Sequence, residues 1–402
     1  MSDAPNARAR RRLVFALLLV STTLGLAGTD LVLPAVPALP GSLGGSPALA
    51  QMVLASFVAG AGAGLVLFGE LGARFNQRSL LVLSLASYAL LSQLAAHAPS
   101  LEILVGLRFV QGASGAAAAV FAPGMIRHLF SERDAVGALG LLGSIEAIIP
   151  ALAPVAGVWL LQHLGWQGSF HFLAASSVAA CGLILLRRDA FPALVSRHGS
   201  TGYLPLLRDP VYLRYALSQA FTLGGLLTFV FGAPVVITQG LGGTLGDFIV
   251  MQVTGIAFFM LTANSAGWLS EKLGAERLIA GGSALSAGGA LGLLVYALAG
   301  GTEPLMLAVL FIPVNMGLGF RGPPGFYRAV VASGGNEARG SALVLLAILL
   351  TAAGGTAIAA PFVTGGLTPL ALVAAAISAL SVLTLVCLPG MPADTAGADD
   401  PG

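Results

Sequence analysis

Four ionisable side chains sit inside long apolar stretches of this 402-residue chain: Asp30, Arg108, Glu146 and Arg321. Each is costly there. A charged residue at the centre of a membrane helix costs roughly 2.5–3.5 kcal/mol on insertion scales, so it marks a function by default. A carboxylate in such surroundings can take a proton or bind a cation. An arginine stays charged and needs an anion or carbonyl partner. Asp30 and Glu146 are therefore read as exchange sites for protons or cationic ligands. Other reactive chemistry has no support. Cys181 and Cys387 lie in separate apolar runs with no C-x-x-C spacing, and His163 and His171 lack the i, i+4 spacing of a helical metal pair. No G-x-x-x-x-G-K-[ST] loop, H-E-x-x-H pattern or nucleophile–base pair appears, so no ATP drive, metal, cofactor or enzyme activity is expected.

The elements that must position these groups follow from composition. The chain is 56% hydrophobic and 9% charged, with a mean hydropathy of +0.91. Soluble domains carry about 25% charged residues. The net charge of +2 suggests no nucleic-acid partner. Glycine, at 54 residues, suits helices packed closely in lipid. Twelve apolar runs approach the length of about 20 residues that a spanning helix needs. They begin near Leu13, Ala48, Leu80, Leu101, Ala135, Ser169, Leu213, Asp247, Leu278, Pro304, Arg339 and Thr368. Lipid offers no partner for backbone polar groups, and these runs lack the alternation of barrel strands, so all twelve are predicted as helices.

Arginine and lysine crowd one set of connections. They occupy the tail before residue 13, the second, fourth, eighth and tenth loops, and the stretch Arg187–Tyr212. Loops 34–47, 98–100, 162–168, 239–246 and 300–303 have none. That asymmetry places both termini in the cytoplasm. The expected organisation is a tail (1–12), a six-helix bundle (13–186), a polar linker (187–212), a second six-helix bundle (213–388) and a cytoplasmic tail (389–402). Internal repetition supports two halves. GELGARFNQR (Gly69–Arg78) is echoed about half a chain later by GWLSEKLGAER (Gly267–Arg277). Ser131–Leu139 is echoed more weakly by Asn336–Leu343. Repeated halves are a transporter arrangement.

The motifs resemble a family. The chain is similar to major facilitator superfamily transporters, and within them to Bcr/CflA-type drug:proton antiporters. The resemblance rests on TDLVLPAVPALP (Thr29–Pro40), the loop after the second run, RFVQGASGAA (Arg108–Ala117) and IPALAPVAG (Ile149–Gly157). It implies an all-α membrane protein of two six-helix bundles, a monomer in a bacterial inner membrane. It also implies proton-coupled export of lipophilic or cationic compounds by alternating access. The alternative is proton-coupled transport of a specific metabolite, an organic acid or a sugar, with Arg108 and Arg321 as anion ligands. The loop signature departs from the family: Ala73 replaces its Asp and Asn76 its Gly, and Glu70 stands three positions early. The second copy retains Gly267, Glu271 and Lys272. In the family this loop latches the cytoplasmic side, so Gly69, Arg74, Arg78, Gly267, Glu271 and Lys272 are gating candidates.

Depth arithmetic places the ionisable groups. At 1.5 Å per residue, Asp30 and Arg108 lie roughly 26 and 28 Å from the inner face. They are expected to form a proton-coupling couple, direct or through water and Gln111. Glu146 lies roughly 17 Å in, near the midplane, and shares a face with Pro150 and Pro154. Those prolines and Gly157 are expected to permit bending and close packing. Gln51, Gln111, Phe57 and Phe229 join Asp30 and Glu146 as substrate-lining candidates. Arg321 is expected to anchor at the cytoplasmic edge. His97, His163 and His171 fall at outer helix ends, where solvation accounts for them.

Overall fold

The computed structural model describes residues 4–192, 194 and 202–391. Arg197, His198 and the acidic tail residues Asp394, Asp399 and Asp400 lie outside them. Twelve helices are long and apolar enough to cross a membrane. They are α1 (Arg8–Leu43), α2 (Pro47–Arg74), α3 (Gln77–Ala96), α4 (Leu101–Leu129), α5 (Glu132–Leu164) and α6 (Gly168–Leu186). They continue as α7 (Pro210–Gly240), α8 (Leu245–Leu273), α9 (Ala275–Leu298), α10 (Pro304–Ala332), α11 (Glu337–Gly365) and α12 (Leu367–Cys387). No strand occurs among the described residues. The fold is all-α, and every predicted run has its helix.

Local chemistry sets the helix ends. Ser46, Ser100, Asp209 and Thr244 cap α2, α4, α7 and α8 by accepting backbone N–H bonds. Asn76 caps α3 through its side chain, which accepts from Arg78 N at 3.0 Å. That role explains an asparagine at the loop position where the resembled family has glycine. In α1 the regular helix stops at Asp30, and Pro34 and Pro37 carry the chain through a 3-10 turn, Leu33–Ala38. In α4 regular helix pauses after Gly115 and resumes at Ala117.

The chain packs as two compact units. The first holds Met1–Leu129, Ile145–Gly202 and Gly335–Leu343. The second holds Phe130–Ser144, Tyr203–Gly334 and Val344–Gly402. The start of α11 thus belongs to the first unit and the start of α5 to the second. In the first unit α2 packs along α4, and α3 along α6. In the second, α10 packs on both α8 and α9, and α12 on α7.

Helices in lipid gain no hydrophobic drive from meeting each other, so close backbone approach must supply the packing. The α2–α4 crossing is built this way. A Cβ on Gly60 would stand 1.9 Å from the Phe109 carbonyl oxygen, and one on Gly112 would stand 2.0 Å from that of Phe57. Backbone cannot yield as a side-chain tip can. Gly60→Val is therefore expected to cost about 3 kcal/mol, the upper end of overpacking penalties. Thermal unfolding in detergent checks this, with Gly62→Ala as control, because a Cβ there meets no atom within 4 Å.

Candidate functional site

Arg108 is the centre of the first unit's polar interior and is 0% exposed. Its guanidinium donates in three directions: Nε to Val53 O (3.2 Å), one terminal nitrogen to Gln111 Oε1 (2.8 Å) and the other to Gly28 O (2.8 Å). The Phe57 ring lies 4.0 Å from the guanidinium carbon and supplies a cation–π face. Gln111, one helical turn along α4, donates onward to Ser92 Oγ at 2.7 Å. Arg108 thus ties α1, α2 and α4 together, and Gln111 extends the web to α3.

The expected direct Asp30–Arg108 couple does not form. The arginine reaches the Gly28 carbonyl, two residues before Asp30, and its other two bonds go to Val53 O and Gln111 Oε1. Arithmetic along the helix axis cannot supply rotation, and here a carbonyl, not the carboxylate, meets the guanidinium. Asp30 is partly exposed, and its carboxylate has no ion pair or hydrogen bond among the described residues. Glu146 is also free of ion pairs, and its polar neighbour is the Thr22 hydroxyl of α1. Below it, Gly157 lets α5 approach the end of α1: a Cβ there would lie 2.4 Å from Leu31 O. Pro154 is half-buried and Pro150 exposed.

Among the substrate-lining candidates, Gln51 is exposed, whereas Gln111 and Phe57 are buried in the Arg108 web. Phe229 is buried in the second unit's core against Phe311, at 5.4 Å between ring centroids. Phe57 and Phe229 thus spend their rings on packing.

Arg321 is not the edge anchor expected from its sequence neighbourhood. It is 0% exposed and donates to Gln219 Oε1 (2.7 Å) and Ser218 Oγ (3.0 Å) of α7. Each unit therefore buries one arginine on α4 or α10, held by a glutamine amide oxygen and without a carboxylate. The second half of that pattern has no signal in the spacing, since Gln219 comes from a distant span.

At the charged ends of the spans, Glu70 meets two arginines. Arg339 grips it with a two-pronged bond, Nε to Oε2 at 2.9 Å and a terminal nitrogen to Oε1 at 3.1 Å, while Arg74 pairs with it at 2.5 Å. Arg127 and His128 at the end of α4 both meet Glu337 at the start of α11. In the second unit Arg133 pairs with Glu271 at 2.8 Å, and Arg328 with Glu132 at 2.9 Å. Gly267 permits that approach: a Cβ there would lie 2.7 Å from Arg133 O. Gly69 is buried in α2, Arg78 donates to Arg188 O at 2.7 Å, and Lys272 lies over the Trp268 ring at 4.0 Å. Glu337, Arg339, Glu132 and Arg328 were missed as candidates. The echo of Ser131–Leu139 in Asn336–Leu343 aligns Glu132 with Glu337 and was the available signal.

Arg339 is wholly buried, so the Glu70 pair is screened little. A double-mutant cycle over Glu70→Gln and Arg339→Gln, read by thermal unfolding, is expected to give a coupling of about 2 kcal/mol. The Arg339→Gln single change should cost less than Glu70→Gln, which leaves a buried cation unpaired.

Comparison with known proteins agrees with this architecture. The Major Facilitator Superfamily pattern matches residues 18–360. A chloramphenicol resistance protein of Pseudomonas aeruginosa is 28% identical over 256 residues, covering 63% of this chain and 61% of that protein. A bicyclomycin resistance protein homolog of Haemophilus influenzae is 24% identical over 262 residues, 63% of this chain and 65% of that one. The matches thus span less than two thirds of these relatives' length. Among solved structures, the transporter FucP in its outward conformation superposes with a TM-score of 0.71 at 17% identity, over 94% of this chain and 99% of that one. The proton:xylose symporter XylE gives 0.72 at 14% identity, over 94% and 96%. At such identity the structures speak to fold alone. Twelve spans and a family match over most of the chain settle its membership: this multi-pass membrane protein belongs to the Major Facilitator Superfamily.

Proposed function

We propose that this transporter exports small lipophilic or cationic compounds in exchange for protons across a bacterial inner membrane, as a monomer with both termini in the cytoplasm. The observation that carries the reading is the pair of carboxylates, Asp30 and Glu146, that no cation neutralises although Arg108 lies in the same unit. A carboxylate without a counter-ion is open to a proton or a cationic ligand, and rivalry for it couples the two flows. Drug-resistance relatives support this substrate class. The six-helix halves expose the carboxylates to water by turns, and the Glu70–Arg339 and Arg133–Glu271 pairs act as latches in that cycle.

The test is export of a cationic dye from proteoliposomes under an imposed proton gradient. Dye efflux that an uncoupler abolishes is the expected result; gradient-independent or absent efflux rejects the reading. A second reading, transport of an anionic metabolite, is favoured by the two buried guanidiniums without carboxylate partners, one of which leaves Arg321 Nε unbonded. Organic-acid uptake in the same vesicles distinguishes it.

A further inference from the structure

A trough of about 800 Å³ runs between α3 and α6 in the first unit, within the range of roughly 300–1,000 Å³ that holds small molecules. Its wall is Ala86, Ala89, Leu90, Ala175, Val178 and Gly182. The floor at Gly182 is open, since a Cβ there meets nothing within 4 Å. Leu83, Leu90, Val178 and Leu185 on the same helices are exposed, so this face looks onto acyl chains. From His171 to Leu185 the trough follows α6 for roughly 20 Å, enough to cover one leaflet's hydrocarbon of about 15 Å.

One end is polar. Gln93 and His171 line it, and His97 joins them, with its ring centroid 5.6 Å from that of His171. His97 Nδ1 donates to the Gln93 backbone oxygen (2.8 Å) and His171 Nδ1 to Gln93 Oε1 (2.7 Å). Those oxygens only accept, so each Nδ1 carries its hydrogen. In the neutral rings both Nε2 atoms are then lone-pair acceptors. Among the described residues, none of the three side chains forms an ion pair. The sequence suggested plain edge solvation for these histidines; the fold gathers them at one mouth.

We infer that this trough binds one phospholipid with a primary-amine headgroup, its acyl chain along the α3–α6 wall and its ammonium donating to His97 and His171. Two adjacent acceptors call for hydrogen-bond donors, which an ammonium supplies with three N–H bonds and a charge, and a wall a leaflet deep calls for an attached chain. A choline headgroup has no N–H to give, and a soluble amine would leave the wall unused.

Reconstitution in nanodiscs of equimolar phosphatidylethanolamine, phosphatidylcholine and phosphatidylglycerol with identical chains tests this. Lipid retained after transfer to mild detergent is counted by native mass spectrometry. The ethanolamine lipid is expected to be retained about tenfold over the choline lipid, the worth of one charge-assisted hydrogen bond. H97F/H171F should lose the preference. Gly182→Leu, which fills the floor and leaves the imidazoles, should lose the lipid, and soluble ethanolamine should not displace it. Equal retention of ethanolamine lipid and either competitor by the unaltered protein overturns the proposal, as does an unchanged preference in H97F/H171F.

Discussion

Asp30→Asn combined with Glu146→Gln is expected to lower gradient-driven export by about a hundredfold while leaving exchange of an uncharged lipophilic substrate at zero gradient largely in place. Both changes keep shape and remove only the titratable charge. Among the described residues neither carboxylate has a cationic partner to strand. The folding cost should therefore be small, and a thermal-unfolding midpoint within a few degrees of the parent confirms it. Separating the two rates is what makes the experiment decisive. Driven export needs a group that gains and loses a proton in each cycle; exchange needs only binding and reorientation. If the double variant still pumps against a gradient, the proton is carried elsewhere. The single variants assign the weights. Glu146, with the Thr22 hydroxyl beside it, is expected to carry the larger share. Asp30, at the end of the regular part of α1 and partly exposed, is better placed to meet a cationic ligand first.

The spans were legible because lipid imposes a single solution on an apolar run, and the predicted starts at Leu101 and Pro304 coincide with the observed ones. The acid of the first loop was legible only in hindsight. Glu70 stands three positions before Ala73, but three residues is close to one helical turn, so its carboxylate leaves the same face of α2 as the absent aspartate would. Arg339 comes from the far end of the sequence, and only the weak echo of Ser131–Leu139 in Asn336–Leu343 points to its neighbourhood. The partners of Arg108 failed for a different cause. Sequence fixes how deep a residue lies along a helix, whereas which neighbour it meets depends on rotation and tilt, which side-chain packing decides. Backbone carbonyls are invisible in any motif, yet Gly28 and Val53 supply two of the three acceptors.

Arg108→Ala is expected to destabilise the first unit by about 3–5 kcal/mol, enough to lower expression sharply. The change takes a donor from the Val53 and Gly28 carbonyls and from Gln111 Oε1 in a buried interior and opens a cavity beneath Phe57. Arg108→Lys separates architecture from charge. Lysine keeps the cation and part of the volume, but a single ammonium cannot present a planar fork to α1, α2 and α4 at once, nor stack flat on the Phe57 ring. It should recover part of the stability and little of the transport. Phe57→Leu removes the ring alone and is expected to cost about 1 kcal/mol beyond the packing loss. If Arg108→Lys pumped normally, the web would be a brace whose charge matters and whose geometry does not. If Arg108→Ala folded and unfolded like the parent, the three carbonyl and amide bonds would have other donors within reach, and the arginine would hold nothing together.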